Sequence, residues 1–181
     1  YVGNKSSSTD ASGNTTTFTY DSVGRLVTTR FPGPENATKE IFYNKASRII
    51  RSRDENGVDT LYEYDHRGRR VTTGLDLNGN RQLENVDIIT RKIFNNVNRV
   101  VAVTDPNGNR TSNEYDRLHR LVSTTNALDH QAKLFYDEAF GSIPGSGLLD
   151  GSGYTPSRSL DPRGFISEVA LDSLYRVTES R

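Results

Sequence analysis

A Tyr-Asp pair returns along the 181 residues with a fixed set of companions, and copies lie too close together for anything larger than one supersecondary unit. The position recurs at Tyr20-Asp21, Tyr43-Asn44, Tyr64-Asp65, Phe94-Asn95, Tyr115-Asp116, Tyr136-Asp137 and Leu171-Asp172. Intervals are 23, 21, 30, 21, 21 and 35 residues, so 21 is the base period and the rest carry insertions. Five residues after the aromatic stands Arg25, Arg48, Arg69, Arg99, Arg120 or Arg176, and only the sixth unit breaks the pattern, with Gly141. An aliphatic residue follows the arginine in most units (Leu26, Ile49, Val100, Leu121, Val177), with Arg70 the exception. Ten residues before the aromatic an Asp-x-x-Gly begins at Asp10, Asp54, Asp105 and Asp161.

Each unit has a physical reading. In TTTFTYDSVGRLVTT, residues 15–29, the flanks are rich in Thr, Val and aromatics, which favour strands. Between them Asp21 and Gly24 occupy the first and fourth positions of a type I turn. Gly24 can take positive φ and close a bulged hairpin, while the Asp21 carboxylate hydrogen-bonds the turn backbone. This geometry sets Tyr20 opposite Leu26 and Phe18 opposite Thr28, and likewise Tyr43 opposite Ile49 and Tyr115 opposite Leu121. On the other face Val27, Ile50, Val71, Val101 and Val122 are expected opposite Thr19, Phe42, Glu63, Ile93 and Glu114. The Asp-x-x-Gly stretches then serve as turns joining one hairpin to the next. A lone hairpin is barely stable in water, so the units must pair side by side. The expected fold is all-β: about seven tandem hairpins over residues 1–181, forming a continuous curved, spiralling antiparallel sheet.

The totals narrow the function. Charge is balanced at 23 basic and 23 acidic residues, which gives no overall basic footprint for nucleic acid. No apolar run approaches the roughly 20 residues needed to span a bilayer. Cysteine is absent, which excludes disulfides and thiolate metal sites. The chain opens on Tyr1 and so reads as a piece of a longer polypeptide.

The quoted units YDSVGRLV, YEYDHRGRRV and NEYDRLHRLV, with DPNGN between them, resemble the RHS/YD-repeat family over roughly residues 10–181. In that family long arrays wind into a spiralling sheet that can close as a hollow shell. Such shells occur in bacterial polymorphic toxins, insecticidal toxin complexes and teneurins, and the repeats also occur in wall-associated bacterial proteins. The resemblance implies a structural, encapsulating, non-enzymatic segment of a secreted or cell-surface protein. Its implied partners are neighbouring repeats and an enclosed C-terminal domain. The competing reading is an extracellular binding module that presents inserted loops to a glycan or protein. Asp161-Pro162-Arg163-Gly164 sits in ordinary linker phase and is read as linker.

Two insertions interrupt the period, at 76–93 and 139–159. The second is dominated by Gly, Ser and Pro and reads as an exposed loop. In the first, Asp76, Asn78 and Asn80 stand at positions 1, 3 and 5 of a twelve-residue calcium loop, with Gln82 at 7 and Asp87 at 12. This is similar to the calcium loops of dockerin modules, but Arg81 replaces the turn glycine at 6 and repeat phase alone accounts for Asp76, Asn78 and Asn80. Calcium is thus the one cofactor the sequence raises. His66, His119 and His130 lie in turns or linkers without metal-ligand spacing. The regular arginines are expected to pair with acidic groups of the neighbouring repeat and to lay their stems along the tyrosines. Sequons at Asn4, Asn14, Asn36 and Asn109 matter only in a secreted eukaryotic protein.

Overall fold

The computed structural model describes residues 3–33, 35, 37–136, 158–171 and 177–180, with side chains left aside for 169–171 and 177–179. Every described regular element is a β-strand, every described pair is antiparallel, and strand order follows the sequence. The all-β, tandem-hairpin expectation holds. By compactness the chain divides into two units, Tyr1–Arg91 and Lys92–Arg181.

The first unit holds β1 (Ser7–Thr9), β2 (Thr15–Tyr20), β3 (Leu26–Arg30), β4 (Thr38–Tyr43), β5 (Ile49–Arg53), β6 (Asp59–Tyr64) and β7 (Arg70–Asp76). Strand β8 (Ile88–Phe94) starts in this unit and crosses the division. The second unit holds β9 (Val100–Thr104), β10 (Arg110–Tyr115), β11 (Leu121–Thr125), β12 (Gln131–Phe135), β13 (Arg158–Leu160), β14 (Ile166–Leu171) and β15 (Val177–Ser180). Because neighbours in sequence are neighbours in the sheet, the Tyr-Asp turns of each unit fall along one edge and the linker turns along the other.

Both edges use the same five-residue loop. At Asp21 the backbone N–H bonds the Arg25 carbonyl (2.9 Å) and Gly24 N–H bonds the Asp21 carbonyl (3.0 Å). The Asp21 Oδ1 then accepts the amides of Val23 and Arg25 at 3.0 and 2.9 Å. The same backbone pattern recurs at Asn44, Asp65, Asn95 and Asp116, and in the linkers at Asp10, Asp54, Asp105, Asn126 and Asp161. The fourth residue has positive φ each time, and Ser47, Asn98, His119 and Asp129 adopt it where glycine is missing. So Asp161-Pro162-Arg163-Gly164 is a linker turn of the ordinary kind.

The Tyr-Asp hairpins carry a second irregularity that the pattern does not announce. Tyr20 faces Leu26 as expected, but the register then slips by one, so Thr19 faces Thr28 and Phe18 faces Thr29, not Thr28. Tyr43–Ile49, Tyr64–Arg70 and Tyr115–Leu121 are followed by the same slip. Ile50, Val71 and Val122 are therefore bulge residues, and the residues opposite Phe42, Glu63 and Glu114 are Arg51, Thr72 and Ser123. A bulge inserts one residue into one strand and increases local twist. The linker-side pairs run without such a slip.

The register places one interior row in the first unit. Leu61 pairs with both Arg51 and Gly74, and Gly74 pairs with Ile89. Leu61 and Ile89 are buried, as are Asp59, Thr72 and Asp76 on the same face. The insertion supplies a cover: a Cβ built on Gly74 would lie 2.5 Å from Leu83 Cδ2 and 3.2 Å from Ile89 Cγ1, so this strand needs glycine for close approach. Among the described residues of the second unit the buried positions are small, Ala102 and Ser123.

Candidate functional site

The side chains singled out by the period converge on the Tyr-Asp edge, where they tie each hairpin to the next. Tyr43 Oη donates to the Leu26 carbonyl (3.0 Å), Tyr64 to Ile49 (2.7 Å), Tyr115 to Val100 (2.9 Å) and Tyr136 to Leu121 (2.8 Å). Tyr20 does the same to Lys5 (2.9 Å). In each case the acceptor is the residue one hairpin earlier that follows the arginine position. That preceding arginine covers the ring: Arg25 lies 4.5 Å from the Tyr43 centroid, Arg48 5.6 Å from Tyr64 and Arg120 4.5 Å from Tyr136. A guanidinium over an aromatic face is worth about 0.5–1 kcal/mol at exposed sites.

The arginines also hold their own turns, which corrects the expectation that their acidic partners lie in neighbouring repeats. Arg25, Arg69 and Arg120 pair with Asp21, Asp65 and Asp116 four residues earlier, each at 2.6 Å. One carboxylate oxygen thus accepts backbone amides while the other accepts the guanidinium. Reach into the next repeat goes to neutral groups: Arg25 Nη1 donates to Ser47 Oγ at 2.9 Å and to the Asn44 carbonyl at 3.4 Å. Where Asn44 replaces the acid, Arg48 makes no ion pair among the described residues and packs against Gly68, where a Cβ would lie 2.7 Å from its Nη1. Arg99, behind Asn95, is exposed. Phe94 carries no hydroxyl and cannot make the tyrosine bond. Asp137 and Arg176 lie outside the described residues, as do Asn36 and residues 139–157 of the 139–159 insertion, whose last two residues, Arg158 and Ser159, belong to strand β13 and not to a loop.

These contacts fix the acid behaviour of the turns. The Arg25 amide is the main cause holding the Asp21 carboxyl below 3.8. Partial burial works to raise Asp65, but the Arg69 amide and guanidinium outweigh it and hold the carboxyl at about 2. The Asn14 and Asn109 side chains lower Asp10 and Asp105 in the linkers. A carboxyl lowered in the folded state contributes stability that is complete above its unfolded value, near 3.8, and is lost as pH falls through the folded value. The thermal midpoint should therefore fall steadily from about pH 4 to about pH 2. Asp65→Asn should keep the turn, as Asn44 and Asn95 do, and make that slope shallower. A midpoint unchanged across that window would contradict the assignment.

Gly68 offers a sharper steric check. Gly57 and Gly68 share φ of +81°, but only Gly68 has the Arg48 guanidinium against it. Alanine at either position costs about 1–2 kcal/mol for left-handed backbone. Gly68→Ala should cost up to about 1 kcal/mol more, because Arg48 must leave its place over Tyr64. Chemical denaturation of the two variants measures the difference.

A second cluster was not signalled by the repeat. Asp59 is 3 % exposed and accepts Arg51 Nη1 (2.9 Å), Arg53 Nε (2.8 Å) and Arg53 Nη2 (2.9 Å), with Arg81 Nε at 3.8 Å. Arg53 is the main cause that holds this carboxyl low, against the opposing effect of burial. Arg51 also lies over the Phe42 ring, 3.5 Å from its centroid. Asp59 pairs in register with Asp76, where the insertion begins. Asp76 departs from the linker turn: its Oδ1 accepts Gly79 N–H (2.8 Å) and its Oδ2 accepts Arg81 N–H (2.7 Å). Asp87 closes the far end by accepting Leu77 N–H (2.9 Å) and Glu84 N–H (2.9 Å). Asn78 and Asn80 accept the amides two residues on, from Asn80 and Gln82. Arg81, at the sixth position, has φ of +63°. Among the described residues no three His, Asp or Glu side chains are grouped as a metal cage. His66, His119 and His130 are exposed.

Fold and contacts together define a tandem β-hairpin repeat array in which most of the in-phase Tyr, Asp and Arg side chains hold a turn or join one hairpin to the next. Residues 2–33 and 94–131 match the RHS Repeat family model, so these two segments carry RHS repeats. No curated protein matches it. It is similar in structure to the crystal structure of TcdB2-TccC3-Cdc42, with a TM-score of 0.65 and 15 % identity over 94 % of this chain and 9 % of that one. The crystal structure of TcdB2-TccC3 without its hypervariable C-terminal region gives 0.61 at 15 % identity, over 95 % and 9 %. The Photorhabdus luminescens Tc holotoxin pore gives 0.57 at 17 %, over 97 % and 8 %. The chain thus spans under a tenth of the length of the chains it resembles.

Proposed function

We propose that this chain is a non-enzymatic stretch of wall in an encapsulating shell, within a large secreted or surface protein of the toxin type. The observation that carries the reading is the hairpin-to-hairpin interlock. Most of the Tyr hydroxyls, Arg guanidinium groups and turn carboxylates that recur in phase are engaged in packing, which leaves a scaffold and, among the described residues, no assembled chemistry. Likeness of fold to TcdB2-TccC3 supports the reading. So does the existence, in that neighbour, of a separate hypervariable C-terminal region, since a wall needs a content. The partners of this segment are then adjacent repeats of its own polypeptide and a C-terminal domain enclosed by them.

Limited proteolysis of the full-length parent, with fragments identified by mass spectrometry, tests this. Segments downstream of the repeats should survive native digestion and be cut at once after the repeats are opened. If they are cut freely while the repeats resist, the array is an open scaffold, and display of its insertions to a glycan or protein partner becomes the better reading.

A calcium ion in loop 76–87 is a second reading, favoured by one observation. Arg81 adopts the left-handed backbone that position 6 of such a loop requires, with its N–H on the position-1 carboxylate. Calcium should then raise the thermal midpoint, as any ligand of the native state does, and Asp76→Ala should abolish the rise. No shift at millimolar calcium removes this reading.

A further inference from the structure

The chain is neutral overall, yet the topology sorts its charge within the first unit. Along the Tyr-Asp edge stand six cations, Arg25, Lys45, Arg48, Arg67, Arg69 and Arg70, against two carboxylates, Asp21 and Asp65. The linker edge of the same unit carries Asp10, Glu35, Asp54, Glu55, Asp76, Glu84 and Asp87 against Arg30, Arg53 and Arg81, and so is acidic on balance. Both carboxylates on the basic edge are already bound to their own arginines, Arg25 and Arg69. Among the described residues Lys45, Arg48 and Arg70 pair with no carboxylate, so this edge keeps a net positive charge.

One of these cations stands in an incomplete copy of a recurring site. In the hairpins beginning at Asp21, Asp65 and Asp116, a carboxylate oxygen sits 2.6 Å from the arginine four residues on. In the hairpin at Asn44, the Oδ1 keeps the backbone role and accepts the amides of Ala46 (2.9 Å) and Arg48 (3.0 Å). The second oxygen of the acid is replaced by an amide nitrogen, which cannot accept a guanidinium N–H. Arg48 is half-buried, held by the Tyr64 ring on one side and the open Gly68 position on the other, and has no carboxylate of its own. Held in place by its stacking, the guanidinium loses little freedom on binding. Arg99, behind Asn95, has the same sequence change but is exposed, and lacks this hold.

We propose that Arg48, flanked by Lys45 and Arg70, is a docking point for a carboxylate borne by an acidic polypeptide segment, which supplies the oxygen that Asn44 lacks. The chemistry is the one the fold itself uses three times: a planar guanidinium with a carboxylate, which geometry favours over a point charge. The basic edge around it steers an acidic partner and repels a basic one. The inference does not depend on whether the array closes as a shell.

The test uses the 181-residue chain and a labelled glutamate-rich peptide, with binding read by fluorescence anisotropy at low salt. A glutamine-rich peptide of equal length and inorganic phosphate serve as competitors. Asn44→Asp should fill the slot from within, raise the thermal midpoint and weaken peptide binding about tenfold, the cost of one charge-assisted hydrogen bond. Arg48→Gln should weaken it to a similar degree, and Arg99→Gln should leave it unchanged. Equal binding of the glutamine-rich peptide would overturn the proposal. So would an Asn44→Asp variant that binds as the native chain does, or competition by phosphate as strong as by the unlabelled acidic peptide, which would make the edge a general polyanion surface.

Discussion

Asp59→Ala should cost the first unit about 3 kcal/mol, the largest effect of any single substitution outside the hydrophobic row. Removing this carboxylate leaves the Arg51 guanidinium, 13 % exposed, beside an empty site, and Arg53 loses both of its hydrogen bonds to it. An unpaired buried charge is expensive because nothing nearby replaces the water it gave up. The figure is set below the usual range for fully buried pairs because Arg53 is a third exposed. Asp59→Asn should cost less, since an amide oxygen can still accept one guanidinium. Loss should also reach the insertion, since Arg81 leans toward the same carboxylate. Urea denaturation of both variants, with hydrogen exchange at residues 76–87, checks the energy and its spread. An unchanged midpoint in Asp59→Ala would mean that the cluster is balanced by its own desolvation.

Tyr64→Ala should rank next, at about 2–3 kcal/mol, through loss of a half-buried ring, its hydroxyl bond to Ile49 and its contact with Arg48. Tyr64→Phe isolates the hydroxyl and should cost about 1 kcal/mol, the ordinary worth of a hydrogen bond. A double-mutant cycle between Arg48→Ala and Tyr64→Ala should return a coupling of about 0.5–1 kcal/mol. Because Tyr64 acts between hairpins, the damage should appear as faster exchange on both sides of the joint. Damage confined to the hairpin of Tyr64 would count against the interlock.

What could be read from the sequence, and what could not, divides along the range of the interactions. The turn at Asp21–Arg25 is local: an acid, a residue with positive φ three positions on, and flanking strand formers suffice to specify it. The Tyr20–Leu26 pairing follows from that turn, and so does its recurrence at Tyr43 and Tyr115. The slip after each pair does not follow, because no residue type marks Val27 or Ile50 as the extra one. That single residue decides which side chains meet across the sheet, so Phe42 faces Arg51 and not Ile50. The Asp59 cluster was hidden in part for the same reason. Arg51, Arg53 and Asp59 share a face across a linker turn without a slip, whereas Asp76 joins them only through the register beyond the bulge. The arginine partners were misplaced by a different route. A guanidinium four residues after a turn acid can reach back to it, and the Asp-x-x-x-Arg spacing stands at Asp21, Asp65, Asp116 and Asp172. The identity of the two turn types was legible as well, in the shared Asp and Gly three apart.

The joint between hairpins has a direction, and this bears on how the chain comes to be folded. Each tyrosine finds its acceptor carbonyl 15 or 17 residues earlier, and for Tyr43, Tyr64 and Tyr136 the arginine that covers the ring lies just before that carbonyl. A repeat leaving the ribosome therefore meets a receiver that has already emerged and never has to wait for one still to be made. Closing so short a loop takes well under a microsecond, whereas synthesis adds only about 5–20 residues each second. Folding can thus keep pace with synthesis and advance one hairpin at a time, with the growing end as the only unfinished edge.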